Sequence, residues 1–281
     1  MLAIIGGTGL YDLPDLQVIE RLSAPTPFGM PSGDIVRGRL HDHELLFIAR
    51  HGAGHRLLPH EVNYRANVFA LKRAGATMLL GFSAVGSLAL EVAPGMLAMP
   101  EQYVDWTRGC RERTFFGGGV AGHVATARPV SAALVGAVRA AAERIGAAVK
   151  SGLTYACVEG PRLGTQAESH VLRQLGCHLV GMTNVPEVFL AREAQLAYAT
   201  VGLVTDYDSW LDDPGQHVSV GAIFERYGQT LDLARRVLDE LLRAPLPAPE
   251  PESRQALASA ILTPDASLSA EQREWLAVLR S

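Results

Sequence analysis

The sequence has few cysteines, few lysines and no apolar run long enough to cross a bilayer. Cys110, Cys157 and Cys177 are its only cysteines, widely spaced and without a CxxC pair. That excludes a disulfide framework, and reduced thiols buried as small apolar residues are expected. Lysine occurs only at Lys72 and Lys150, a bias toward arginine that carries no function. The net charge of −4 offers no basic surface to a nucleic-acid backbone, so no nucleic-acid partner is expected. No stretch approaches the ~20 apolar residues of a membrane helix, so no membrane partner is expected either. Met1 leads directly into Leu2-Ala3-Ile4-Ile5 without a basic leader. No signal peptide is read there, and a cytoplasmic location is expected.

What remains is a composition suited to one large core: 281 residues, 48% hydrophobic and 19% charged. Short apolar runs alternate with helical patterns, the arrangement of an α/β fold. Leu2–Ile5 reads as a buried strand ending on a glycine loop, and 34–39 and 44–49 read as strands around a His-Asp-His turn. Pro59 is positioned to open a helix with the apolar face Val62, Ala66, Phe69 and Ala70, closed by Gly75. Further strands are read at 78–82, 153–158, 179–181 and 197–205. Further helices are read at 131–145, 166–175, 187–195 and 220–242. The proline-rich segment 244–251 reads as a surface linker. A helical stretch at 254–261 and a capping-box helix begun by Ser269 and Gln272 would then form an appendage. The expected division is a domain over 1–243 and a linker with a C-terminal appendage of that domain over 244–281.

Thr8, Ser83-Ala84, Met182-Thr183 and Asp206 all fall where these strands are read to end. Open α/β sheets bind ligands at the carboxyl ends of their strands. On the residues alone, each motif keeps an ordinary alternative. Gly6-Gly7-Thr8-Gly9 serves equally as an anion cradle or a plain turn, and it lacks the third glycine of a dinucleotide fingerprint. Arg50-His51-Gly52 offers donors suited to phosphate, or is a surface pair. His51 and His55 have zinc-like spacing, but Gly52 and Gly54 argue against a helix, and no metal site is expected. Glu159-Gly160-Pro161-Arg162 is a tight loop entering a helix. Asp206 and Asp208 lie two residues apart, so a strand would point both to one face. Two close carboxylates should raise one pKa and make a proton donor, or they are solvated loop residues.

In order, the chain carries Ile4-Ile5-Gly6-Gly7-Thr8-Gly9-Leu10, Ala49-Arg50-His51-Gly52 and Val62-Asn63-Tyr64-Arg65-Ala66-Asn67. There follow Ala84-Val85-Gly86-Ser87-Leu88, Val158-Glu159-Gly160-Pro161-Arg162, Met182-Thr183-Asn184-Val185-Pro186-Glu187 and Thr205-Asp206-Tyr207-Asp208-Ser209-Trp210. As an ordered set, these segments resemble the nucleoside phosphorylase superfamily in its trimeric-type purine branch. Only the C-terminal appendage is poorly matched. The resemblance implies a single-domain, three-layer fold with a mixed central sheet flanked by helices. It implies phosphorolysis of a purine nucleoside to free base and ribose 1-phosphate. It places Thr8, Arg50, His51, Ser83, the Ala84 backbone and Thr183 around phosphate, and Met182 against the ribose. It makes Asp206 the acid that protonates purine N7 and Asp208 the acceptor of an exocyclic amine. Related 6-oxopurine enzymes have asparagine at the position of Asp206, so two aspartates favour a 6-aminopurine.

Val220 stands where family members using ordinary nucleosides have a histidine for the 5′-hydroxyl. With Val218 and Ile223 it suggests an apolar pocket for a methylthio group, or ordinary core packing of a helix. The expected substrate is therefore 5′-methylthioadenosine, with methylthioinosine or a broad set of purine nucleosides as the alternative. His123 matches a residue that reaches in from a neighbouring subunit, which implies a homotrimer or a dimer of trimers. No cofactor or metal is implied, because inorganic phosphate is itself a substrate. Two departures bear on the base. Leu163 replaces a phenylalanine, and Gly164 replaces a serine of animal members or a glutamate of the 6-oxopurine enzymes. The glycine loop alone would also suggest a nicotinamide-dependent oxidoreductase. A silent nucleoside-binding protein would have no need of Arg50 and His51.

Overall fold

The computed structural model describes residues 1–7, 10, 15–211 and 220–281, the last span without the side chains of 220 and 222–224. Among the described residues, nine strands form one mixed sheet in the order β2-β3-β4-β1-β5-β8-β7-β6-β9, and β9 returns to pair with β5. The strands are β1 (Leu2–Gly6), β2 (Gln17–Leu22), β3 (Ile35–Leu40), β4 (His43–Ala49), β5 (Met78–Ser87), β6 (Leu97–Trp106), β7 (Val149–Val158), β8 (Leu179–Gly181) and β9 (Ala197–Tyr207). The β5–β9 pairing closes β5, β8, β7, β6 and β9 into a ring, with β1, β4, β3 and β2 as an arm. The expected α/β fold with helices on both faces of a mixed sheet is what the chain forms.

Strand period two explains the layers. Along β1, Ala3 and Ile5 enter one core and Leu2 and Ile4 the other, so the strand is buried on both faces. The first core is covered by α1 (Tyr64–Arg73), α4 (Asn184–Glu193) and α7 (Ala270–Arg280). The second is covered by α2 (Ala132–Arg144) and α5 (Val220–Leu241). The remaining helices are α3 (Gln166–Gln174), opened by a capping box of Thr165 and Glu168, and the short α6 (Pro251–Arg254).

Several boundaries differ from the sequence reading. Helix α1 starts at Tyr64 and not near Pro59, because the Asn63 side chain accepts from the Ala66 amide at 3.0 Å and caps it there. Strand β5 runs on to Ser87 and β9 to Tyr207, so Ser83, Ala84 and Asp206 lie within strands and not at their ends. Helix α6 ends at Arg254, and turns follow where 254–261 was read as helical. Cys157 and Cys177 are buried as expected, but Cys110 is exposed. The capping-box helix at Ser269 forms as read. Its Trp275, Leu276 and Leu279 are buried in the first core, and Lys72 donates to the Ser281 terminal oxygen at 2.6 Å.

One buried carboxylate gives this fold a pH dependence. Glu193 accepts from the Thr114 hydroxyl and the Phe115 amide, each at 2.7 Å, and burial still pushes its pKa up to about 7. An acid with a folded pKa above its unfolded value binds more protons when folded, so its contribution is lost as pH rises. Stability is therefore expected to fall between about pH 4.5 and pH 7, by an amount on the order of 1–3 kcal/mol. Glu193→Gln should flatten that part of a denaturation-versus-pH profile, and a retained slope would assign the dependence elsewhere.

Candidate active site

A cavity of about 510 Å³ opens beside the ring of strands, a size suited to a nucleoside-sized ligand. Arg50, His51, Ser83, Ala84, Met182, Thr183, Asp206 and Asp208 all line it. The structure thus brings together residues that are far apart in the chain. Thr8 lies outside the described residues, as does Val218, and the side chains of Val220 and Ile223 lie outside them too. Helix α5 does begin at Val220. His123 is exposed, lines neither this cavity nor a smaller neighbour, and its amide donates to Ala260 O at 2.9 Å.

The lining residues fall into two groups by their contacts. In the first, the Ser83 and Thr183 hydroxyls are 2.9 Å apart, joining β5 to the start of α4. Arg50 is 1% exposed, and its paired donors are already engaged. Nε and Nη2 donate to the two Glu187 oxygens at 2.7 and 2.8 Å, Nη1 to Phe82 O at 2.7 Å and Nη2 to Ile5 O at 3.4 Å. Of the five guanidinium N–H groups, one on Nη1 remains. Burial opposes the charge, but Glu187 more than offsets it and holds Arg50 cationic. Tyr198 donates to Glu187 Oε1 at 2.9 Å, completing a buried network that the sequence reading missed.

Gly81 makes room for that network. A Cβ there would stand 3.0 Å from Glu187 Oε1, 3.0 Å from the Tyr198 hydroxyl and 3.4 Å from Arg50 Nη2. His51 also differs from the donor or cation expected of it. Its Nδ1 lies 2.8 Å from Leu57 O, and a carbonyl only accepts, so the proton is on Nδ1. Burial first and Arg50 second lower its pKa to about 4, so at neutral pH Nε2 carries a lone pair. The ring stacks on His55 at 4.2 Å.

The second group surrounds the aspartate pair. Asp206 accepts from the Thr205 hydroxyl at 2.6 Å, and Asp208 accepts from Ser169. Both pKa values are raised, and in both cases burial is the largest cause. The Asp208 charge adds to the rise at Asp206 but ranks below burial. Burial of each carboxyl, and not like-charge repulsion at one partner as expected from their spacing, is the main cause of the two shifts. Gly86 permits the crowding, since its Cβ would lie 3.3 Å from Asp208 Cβ and 3.5 Å from Asp206 Oδ2.

Met182 lines the same cavity and is held by a residue that no motif announced. The buried Arg111 donates to Met182 O and Val185 O at 2.7 Å each, and pairs with Glu159 at 2.7 Å. Glu159 is thus part of the frame that holds Met182. Gly160, at φ +67°, has Met182 packed where a side chain would stand. Gly7 similarly leaves space for the Tyr227 hydroxyl, 2.9 Å from where a Cβ would lie. Among the described residues, no cluster of three histidine, cysteine or acidic side chains is arranged to hold a metal, and no helix is long and apolar enough to cross a membrane.

A mixed sheet with a cavity lined by a hydroxyl-and-arginine cluster and by two half-buried carboxylates is the arrangement of an enzyme of the nucleoside phosphorylase class. The chain belongs to the phosphorylase superfamily, whose sequence signature matches residues 1–244. It is 42% identical over 276 residues to S-methyl-5′-thioadenosine phosphorylase of Geobacter sulfurreducens, covering 98% of this chain and 96% of that protein. Its fold is similar to that of a methylthioadenosine phosphorylase sourced from an antarctic soil metagenomic library, at TM-score 0.92 and 39% identity, covering 99% and 98% of the two chains. It is also similar to the Schistosoma mansoni methylthioadenosine phosphorylase in complex with adenine, at TM-score 0.81 and 34% identity, covering 86% and 90%.

Proposed function

We propose that this chain catalyses phosphorolysis of S-methyl-5′-thioadenosine to adenine and S-methyl-5-thio-ribose 1-phosphate. The observation that carries the proposal is the pair Asp206 and Asp208, both lining the cavity that Arg50, Ser83 and Thr183 also line. Phosphate sits against the Ser83 and Thr183 hydroxyls, the Ala84 backbone, the free Arg50 N–H and Thr8. Neutral His51 accepts from a phosphate hydroxyl through Nε2. The N9–C1′ bond breaks as the ribose becomes oxocarbenium-like, the phosphate charge stabilises it, and a phosphate oxygen then bonds to C1′. Asp206 gives its proton to N7 of the departing purine, and Asp208 accepts from the six-position amine. Met182 packs on the ribose. By the sequence resemblance, Val220 and Ile223 are assigned to recognition of the methylthio group, and His123 to the site of a neighbouring subunit in a homotrimer or dimer of trimers. The reaction uses no cofactor, takes place in the cytoplasm, and belongs to purine and methionine salvage. Residues 244–281 continue the domain of 1–243.

A second reading, S-methyl-5′-thioinosine or broad purine nucleoside phosphorolysis, is favoured by Gly164, which puts no side chain beside Asp208 to select the base. Methylthioadenosine, adenosine, methylthioinosine and inosine assayed in parallel separate the two. Methylthioadenosine is expected to be the best substrate by at least tenfold, with strict dependence on phosphate. Adenine release that persists without phosphate would indicate a hydrolase and sink the proposal.

A further inference from the structure

We propose that the base site continues past Asp208 into a second cavity, and that the enzyme accepts purine nucleosides bearing an apolar substituent on the six-position amine. The proposal rests on the orientation of adenine given above. The second cavity encloses about 150 Å³ and shares Val158, Gly164, Val180 and Asp208 with the main one. A volume of that size is enough for one benzene ring.

Gly164 keeps the passage open. A Cβ there would lie in contact with the hydrogen-bonded pair, 3.8 Å from Asp208 Oδ2 and 3.9 Å from Ser169 Oγ, so a larger side chain would fill the space beside that pair which both cavities share. Beyond it Val158, Val180 and Leu172 supply an apolar wall, the last only 3% exposed, and Arg108 and Glu159 also line the cavity. At the rim, Arg162 and Glu168 are held together at 2.6 Å, and Trp106 is 46% exposed.

Asp208 also suits a secondary amine. Ser169 already donates to its Oδ2, so the carboxylate is oriented without help from the base. A substituted adenine retains one N–H, enough for one of the remaining lone pairs. The substituent then leaves the purine on the side of Asp208, away from Ser83 and Thr183, where the reaction takes place.

The probes are N6-benzyl-5′-methylthioadenosine against the parent nucleoside, and N6-benzyladenine against adenine. Wild-type kcat/KM for the benzyl nucleoside is expected within tenfold of the parent, and calorimetry should show N6-benzyladenine binding no more than tenfold weaker than adenine. Leu172→Phe, which fills the second cavity, should shift the benzyl-to-parent ratio at least tenfold against benzyl. Base binding to the wild-type protein decides the matter whether or not that variant folds. If the parent is cleaved but N6-benzyladenine binds more than tenfold weaker than adenine, the second cavity is no subsite and the proposal is overturned. If neither nucleoside is cleaved while N6-benzyladenine binds as well as adenine, the subsite stands and the reaction assignment falls. Weak benzyladenine binding together with no cleavage removes both.

Discussion

Asp206→Asn is expected to slow adenine release from methylthioadenosine by about 10²–10⁴-fold, the range spanned by loss of a positioned general acid. Phosphate binding should change little, because Asp206 belongs to the aspartate group and touches neither Ser83 nor Thr183. Burial raises the Asp206 pKa, so the acid form persists further toward neutrality than that of an ordinary aspartate. As an acid it must begin protonated. The profile of kcat/KM should therefore fall as pH rises through that raised pKa, and the limb should vanish in the asparagine variant. Stability moves in the opposite sense. A carboxyl with a raised folded pKa destabilises the fold once pH passes its unfolded value near 3.8, so the uncharged variant should melt at the same temperature or higher at pH 7. Lost activity with retained stability separates chemistry from misfolding, and an unchanged rate would remove Asp206 as the acid. Because asparagine suits a 6-oxopurine, methylthioinosine should lose less than methylthioadenosine in the same variant.

Local pattern carried much of this architecture. The buried run Leu2–Ile5, the capped helix from Ser269 and the period-two placement of Asp206 and Asp208 are legible because each depends on neighbours in the chain. Two strands were not read, for physical reasons. Strand β2 is an edge with every residue at least partly exposed, so it shows no apolar alternation. Strand β6 carries Pro100, Glu101 and Gln102 through its middle, which reads as a loop. Closure of the ring depends on β9 reaching β5 across more than a hundred residues, and no local signal encodes that. The candidate site divides the same way. Residue types suited to phosphate and purine stand out in the sequence, but what holds them does not. Arg111 lies in an irregular loop, and its contacts with Met182 and Val185 are 71 and 74 residues distant. Glu187 looked like the start of a helix, and only folding shows it beneath Arg50.

That buried pair yields the other large effect. Glu187→Leu is expected to cost about 3–5 kcal/mol of stability, because it leaves the Arg50 charge buried without its partner. Loss of folding alone would not show that Glu187 matters to phosphate, so the informative variants are gentler. Glu187→Gln keeps the size and the Tyr198 contact but sets an amide N–H against an arginine N–H. It should raise KM for phosphate at least tenfold while KM for the nucleoside stays within about threefold. Equal changes in both, or none, would reduce Glu187 to a packing residue. The double variant Arg50→Met/Glu187→Leu completes the case, since replacing a whole buried ion pair by apolar side chains is often neutral or stabilising. It should regain most of the stability lost in Glu187→Leu and still fail to use phosphate. Gly81→Ala approaches the same network from the opposite strand, placing a methyl group 3.0 Å from Glu187 Oε1, and should raise KM for phosphate without touching the cavity. Agreement among Glu187→Gln, the double variant and Gly81→Ala would assign phosphate recognition to a charge on Arg50 that Glu187 and Gly81 hold in place.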